Sequence, residues 1–110
     1  MHLVDGGLAE AMPIRLVEEM GADVIIGVDL YWKDYYRYDR NVSSVLERTY
    51  RLMLSKLSDV DSKTYGKNVI ILRPRVSRLD TFAFDTAAET IKIGETCARA
   101  NIAKIKRMIQ

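Results

Sequence analysis

The residues best placed to do chemistry stand at the start of the sequence. Asp5 follows the apolar pair Leu3-Val4, precedes Gly6 and Gly7, and is followed by Pro13 where a helix could begin. A carboxylate after an apolar strand-like run lies at the sheet edge where α/β proteins build their sites. Glycine allows a positive φ or a close approach of another backbone, and proline suits the first helical turn. Asp5 is therefore the candidate catalytic residue, and the alternative is a solvated turn aspartate.

A nucleophile for Asp5 is missing from the sequence. The chain has six serines, and none of them lies in a G-x-S-x-G elbow, the strained turn that exposes a serine hydroxyl. They are Ser43, Ser44, Ser55, Ser58, Ser62 and Ser77. Because a base without a nucleophile cannot run acyl transfer, the chain holds at most half of such a site.

A second carboxylate, Asp29, closes the apolar run Val24–Val28 and could face Asp5 across the sheet edge. Two such carboxylates could hold Mg²⁺ for phosphoryl transfer, whereas the alternative is that Asp29 caps a loop at the strand end. The single histidine, His2, and the single cysteine, Cys97, belong to no cluster with metal-ligand spacing. No phosphate-binding glycine motif occurs either. We therefore predict no metal site and no cofactor.

Length and composition favour one small domain of ordinary globular character. The chain has 110 residues, of which 48% are hydrophobic and 29% charged. A net charge of +2 is too small to indicate a nucleic-acid partner. The longest apolar run is far short of a membrane span, and one cysteine allows no internal disulfide. We predict a cytoplasmic protein, with peripheral membrane contact as an alternative.

Hydrophobic periodicity predicts three strands that alternate with three helices. The predicted order β-α-β-α-β-α is typical of an α/β fold, a three-layer unit with a parallel sheet. The predicted strands are residues 2–4, 23–30 and 68–72, and the predicted helices are residues 13–20, 41–57 and 86–109. Gly21 is predicted to end the first helix, and Asn41, Ser43 or Ser44 to cap the second.

The pattern also predicts which faces are buried. The β-branched run at 23–30 indicates a strand covered on both sides. On the second helix the apolar face comprises Val42, Val45, Leu46, Thr49, Leu52, Met53 and Leu57, opposite the charged residues Glu47, Arg48, Arg51 and Lys56. On the last helix the apolar stripe comprises Ala87, Ile91, Gly94, Ala98, Ile102, Ile105 and Ile109.

Aromatic residues crowd the segment 31–40, which fits no helical or strand period. Trp32, Tyr35, Tyr36 and Tyr38 stand there among charged residues. Aromatic rings with a polar end favour lipid interfaces and protein interfaces alike. Contact with lipid or a partner is one interpretation, and packing of the rings onto the adjacent sheet edge is the other.

Several blocks together resemble the C-terminal half of a bacterial patatin-like phospholipase domain. These are the residues 3–7 (LVDGG), 12–14 (MPI), 19–30 (EMGADVIIGVDL), 69–74 (VIILRP) and parts of 84–95. The resemblance covers nearly the whole chain, and the Asp-Gly-Gly block followed by EMGADV is its most specific part.

The resemblance implies a serine–aspartate dyad that hydrolyses lipid acyl esters without a histidine. Asp5 would accept the serine proton as general base, while Gly6 and Gly7 would let the loop pass close to the serine elbow. The family often carries asparagine two residues before the proline, where this chain has Ala11. The elbow and the glycine-rich oxyanion loop would precede residue 1.

These observations predict that residues 1–110 are the C-terminal part of a patatin-like lipid acyl hydrolase and are inactive alone. Self-association or dependence on an N-terminal half is expected, because a cut sheet leaves an open edge and uncovered apolar surface. The alternative function is a non-catalytic α/β module that binds a partner through the aromatic segment or a strand edge.

Overall fold

A computed structural model describes residues 3–32, 41–62, 65–76 and 84–110. These residues form three α-helices, two β-strands and two short 3-10 turns. The helices are α1 (Ile14–Glu19), α2 (Val42–Ser62) and α3 (Ala87–Ile109), and the strands are β1 (Ile25–Val28) and β2 (Val69–Leu72). The 3-10 turns are Gly6–Leu8 and Phe84–Thr86. The fold is thus a mixture of helix and strand, as the sequence predicts.

The sheet consists of β1 and β2, which pair in parallel with Ile25 opposite Val69 and Val28 opposite Leu72. Because α2 lies between them in the chain, these elements form a β-α-β unit. The buried apolar side chains come from both strands, from α2 and from the chain at the start of α1. They are Met12, Ile14, Ile25, Leu54, Ile70 and Leu72. The second and third predicted strands and their parallel relation are confirmed.

The first predicted strand does not form in the structure. Leu3 and Val4 lie in irregular chain and are 79% and 78% exposed. A short apolar segment becomes a strand only when a neighbouring strand supplies hydrogen bonds, and β1 is paired only with β2 within the described residues. The described part of the chain therefore has two strands, and the three-layer arrangement stays a prediction.

The structure corrects two predictions about buried faces. On β1, Ile26 and Val28 are 46% and 56% exposed, so that strand is covered on one side only. On α2 the predicted apolar face points to solvent, including Leu46 and Met53, while Leu54 and Ser58 on another face are buried. Periodicity locates an apolar face but does not determine what covers it, because the covering element lies elsewhere in the sequence.

The apolar stripe predicted on the last helix is also only partly covered. Along α3 the predicted stripe is half-buried at Gly94, Ala98 and Ile105, but Ile91 and Ile102 are exposed. The helix contacts β2, and Ile93 and Cys97 beside the stripe are half-buried as well. The helices of the described residues lack an apolar stretch of the length that a membrane crossing requires.

The ends of the helices follow the predicted signals. Asn41 precedes α2, and its Oδ1 accepts hydrogen bonds from the backbone N–H of Ser44 and the hydroxyl of Ser43, both at 2.8 Å. Thr86 stands at the N-cap of α3, but its side chain makes no capping hydrogen bond there. After α1, Gly21 has a φ of 89° and donates its N–H to the carbonyl of Glu18 at 2.9 Å. Gly21 therefore ends α1 in the left-handed conformation, as predicted.

Replacement of Gly21 by alanine tests the importance of this turn. We expect Gly21→Ala to lower the free energy of unfolding by about 1–2 kcal/mol, because a Cβ disfavours the left-handed conformation. Gly94→Ala is the matched control, since Gly94 is helical and its added Cβ would meet no atom within 4 Å. It should raise stability by about 0.5–1 kcal/mol. Urea denaturation measures both changes, and equal effects of the two variants would contradict the assignment.

Candidate functional site

Asp5 lies exposed at the start of the 3-10 turn Gly6–Leu8. Its Oδ1 atom accepts a hydrogen bond from the backbone N–H of Gly7 at 2.8 Å, and its carbonyl accepts one from Leu8 at 3.2 Å. A short polar side chain that bonds the backbone two residues on is what favours aspartate in such turns. Among the described residues, none donates a hydrogen bond to Oδ2 of Asp5. One carboxylate oxygen thus orients the side chain, and the other accepts no hydrogen bond from the described residues.

Gly7 is needed in this turn because it is small. Its φ is not in the left-handed region, but a Cβ there would lie 3.1 Å from Oδ1 of Asp5 and 3.4 Å from Cδ2 of Leu54. The sequence suggests that a glycine here allows either a positive φ or the close approach of another backbone. Gly7 allows a close approach, and the neighbouring atoms belong to side chains rather than to a backbone. A Cβ added at Gly6 would meet no atom within 4 Å, and exposed Pro13 stands at the N-cap of α1.

Tyr50 of α2 joins the site, although no sequence pattern singles it out. Its hydroxyl lies 3.7 Å from the point where a Cβ on Gly7 would be, on the same side as the Asp5 carboxylate. Burial raises the pKa of the Tyr50 phenol, and the nearby charges of Asp5 and Tyr31 raise it further. Asp5 therefore sits beside a neutral phenol, brought to it by the packing of α2 over the Gly6–Leu8 turn.

Asp29 lies in a different environment, because it is 2% exposed. Its Oδ2 atom accepts a hydrogen bond from the hydroxyl of Ser58 at 2.7 Å and one from Nε of Arg73 at 3.4 Å. Its Oδ1 atom accepts from the backbone N–H of Tyr31 at 3.1 Å, and its own N–H donates to the carbonyl of Leu72 at 2.8 Å. This carboxylate therefore links β1 to α2 and to the end of β2.

The surroundings of Asp29 do not suit the Mg²⁺ hypothesis. Both of its oxygens already accept hydrogen bonds, and Arg73 neutralises its charge. Across residues 3–32, 41–62, 65–76 and 84–110, no three or more His, Cys, Asp or Glu side chains are grouped to hold a metal ion. The predicted role of Asp29 as a strand-end cap is confirmed by its bond to Tyr31, while its partners Ser58 and Arg73 were not predicted.

Ser58 and Asp29 form a serine–aspartate pair, but the pair is enclosed. Ser58 is 1% exposed, and its hydroxyl also lies 3.4 Å from the sulfur of Met12. The cavity beside it has a volume of about 100 Å³, enough for only a few water molecules. An acyl ester cannot reach this hydroxyl, so the pair stabilises the fold and does not act as a nucleophile.

The aromatic segment is described only at its beginning. The ring of half-buried Trp32 lies under the guanidinium of Arg73, with 5.5 Å from Cζ to the ring centroid. This cation–π contact places Trp32 beside Arg73, the residue that follows β2. Tyr35, Tyr36 and Tyr38 lie outside the described residues, and their lipid or partner contact stays a prediction.

Comparison with known protein families gives no assignment, since no family model matches the chain. The patatin-like resemblance therefore depends on the sequence blocks that carry it. The structure shows in addition that Asp5 is exposed, is oriented by the Gly7 N–H and lies near Tyr50. It also shows that Asp29 is buried and paired with Arg73.

Disruption of the Asp29 cluster should cost the chain much of its stability. We expect Asp29→Ala to lower the free energy of unfolding by about 3–5 kcal/mol, because it leaves Arg73 and Ser58 without their acceptor. Ser58→Ala keeps the ion pair and should cost about 1–3 kcal/mol. Exposed Asp23 supplies the control variant Asp23→Ala, which should change stability by less than about 0.5 kcal/mol. Urea denaturation would contradict the assignment if Asp29→Ala resembled Asp23→Ala.

The raised pKa of Tyr50 predicts a loss of stability at alkaline pH. Folding favours the neutral phenol, so this contribution is complete below the pKa of an unfolded tyrosine, about 10. It is lost as the pH rises through the raised pKa of the folded state. Thermal unfolding between pH 8 and pH 11 should therefore show a shallower alkaline decline for Tyr50→Phe than for the wild type. Asp5→Asn should reduce the decline in part, and an unchanged decline in Tyr50→Phe would refute this linkage.

Proposed function

We propose that this chain is the C-terminal part of a patatin-like lipid acyl hydrolase and that Asp5 is its general base. The observation that carries the proposal is the state of the Asp5 carboxylate, which is exposed and oriented through Oδ1 by the Gly7 N–H at 2.8 Å. Its Oδ2 atom, which accepts no hydrogen bond from the described residues, is the oxygen that a serine hydroxyl would reach. Asp29 does not compete for this role, because it is buried and paired.

The proposed reaction is proton transfer coupled to acyl transfer. As the serine oxygen attacks the ester carbonyl carbon, its proton passes to Oδ2 of Asp5. The same proton then goes to the leaving alkoxide as the ester C–O bond breaks, and water repeats the sequence to release the acid. The serine must come from a segment with a G-x-S-x-G elbow, which residues 1–110 do not contain.

The proposal also includes a more specific fold than the described helices and two-stranded sheet. This fold is a three-layer β-α-β-α-β-α unit within a larger parallel sheet. The exposed Ile26 and Val28 on β1 support it, because parallel strands normally have both faces covered. Leu3 and Val4 would then become the first strand once a neighbouring strand is present. A lipid ester substrate and a cytoplasmic location with peripheral membrane contact belong to the same proposal.

An ester hydrolysis assay tests the role of Asp5. Residues 1–110 alone should not hydrolyse a p-nitrophenyl ester, because they contain no elbow serine. In a longer polypeptide that carries a G-x-S-x-G elbow ahead of this sequence, hydrolysis should appear. There Asp5→Asn should lower kcat by about 10²–10⁴-fold, the usual contribution of a general base.

The matched control is Asp23→Asn, which removes another exposed carboxylate and should leave kcat unchanged. Turnover by the 110-residue chain that disappears in Asp5→Asn would refute the claim of a missing nucleophile. Equal activity of the Asp5→Asn and Asp23→Asn variants of the longer polypeptide would refute the assignment of the base.

A non-catalytic interaction module is the second candidate function. The exposed apolar face of α2, with Val42, Leu46 and Met53, favours it, because a patch of this kind marks a protein contact. The two functions differ in their response to Asp5→Asn, which would remove hydrolysis but leave binding through α2 unchanged.

A further inference from the structure

A groove lies between the chain that leaves β2 and one face of α3. It has a volume of about 510 Å³, within the usual range of small-ligand sites. Pro74, Ile93, Cys97 and Ala100 give it apolar walls, together with the aliphatic parts of Thr96 and Lys92. On α3 the lining extends from Glu89 to Ala100, about 16 Å along the helix axis. The groove is therefore long, apolar and open to solvent.

The rim of the groove carries an excess of positive charge. Arg73, Arg75, Lys92 and Glu89 line it, and Arg73 is already paired with Asp29. In the described part of the chain, Arg75 and Lys92 make no ion pair. A ligand with an apolar body and one anionic end would fit this groove. Its apolar body would be buried between the walls, and its anionic end would lie beside Arg75 and Lys92.

Two other occupants fit less well. A second copy of the chain in a two-fold contact would bring the same positively charged rim into the interface twice, which like-charge repulsion disfavours. The surface of a lipid bilayer is broad, whereas a groove of about 510 Å³ has the size of a site for a single small ligand. We propose that the groove binds the aliphatic chain of a free long-chain fatty acid, whose carboxylate pairs with Arg75 and Lys92. The proposal goes beyond the Asp5 chemistry and does not depend on it.

Cys97 supplies a built-in reporter, because it lines the groove and is the single cysteine of the chain. Its reaction rate with a thiol reagent such as DTNB can be measured on the 110-residue chain with increasing laurate, below the concentration at which laurate forms micelles. Laurate should slow the reaction in a saturable way. Among shorter acids, each methylene removed should weaken binding by about two- to fourfold. Dodecanol should protect more weakly than laurate.

Variants separate the contributions of charge and shape. Lys92→Gln and Arg75→Gln should each weaken laurate binding by about three- to tenfold, and Glu89→Gln should strengthen it. Lys106→Gln is the charge control, because Lys106 is exposed on α3 outside the groove. Ala100→Phe should fill the groove and abolish protection, while Ala88→Phe, outside the groove on the same helix, should not.

Three results would overturn the proposal. The first is a thiol reaction that laurate does not slow in a chain that melts cooperatively. The second is equal protection by laurate and dodecanol with no effect of Lys92→Gln or Arg75→Gln. The third is protection that needs anionic vesicles, or that grows with protein concentration alone, since a membrane or a second copy would then be the occupant. Ester hydrolysis plays no part in these measurements, so a failure of the fatty-acid proposal can be distinguished from a failure of the hydrolase proposal.

Discussion

The ion pair and hydrogen bonds of Asp29 are the constraint on which the structure depends most. Its carboxylate contacts Ser58 of α2 and Arg73 after β2, and its backbone N–H donates to the carbonyl of Leu72, so Asp29 joins β1, α2 and the end of β2. A buried carboxylate is costly unless it is paired and hydrogen-bonded, and here both oxygens have donors. The cluster therefore fixes which face of α2 turns inward, because Ser58 can reach Asp29 from only one side of the helix.

The same constraint separates the roles of the two candidate carboxylates. With Asp29 committed to the fold, Asp5 is the one of the two that stays accessible, and the Gly7 N–H orients it. The inward face of α2 also brings Tyr50 to the Gly6–Leu8 turn, where Gly7 is small enough to admit it. A catalytic proposal for Asp5 thus rests on packing that Asp29 and Ser58 organise.

Local signals predicted the elements well. Gly21 ends α1 because glycine tolerates a positive φ, and Asn41 caps α2 because its side chain accepts a hydrogen bond from the free N–H of Ser44 in the first turn. The predicted strand at Leu3-Val4 did not form, because strands need a partner that the local sequence does not contain. The sequence identified the apolar face of α2 around Met53 but did not show that this face is exposed. Its exposure depends on which other elements pack against α2, and that is decided by tertiary contacts.

The sequence by itself determined the positions of the three helices and of the strands β1 and β2, together with the candidacy of Asp5. These follow from spacing, caps and residue type, which act within a few residues. The tertiary structure alone decided that Asp29 meets Ser58 and Arg73, that Tyr50 lies beside Asp5, and that Arg75 and Lys92 line one groove. Those contacts join residues far apart in the chain, and no local pattern records which distant side chains meet.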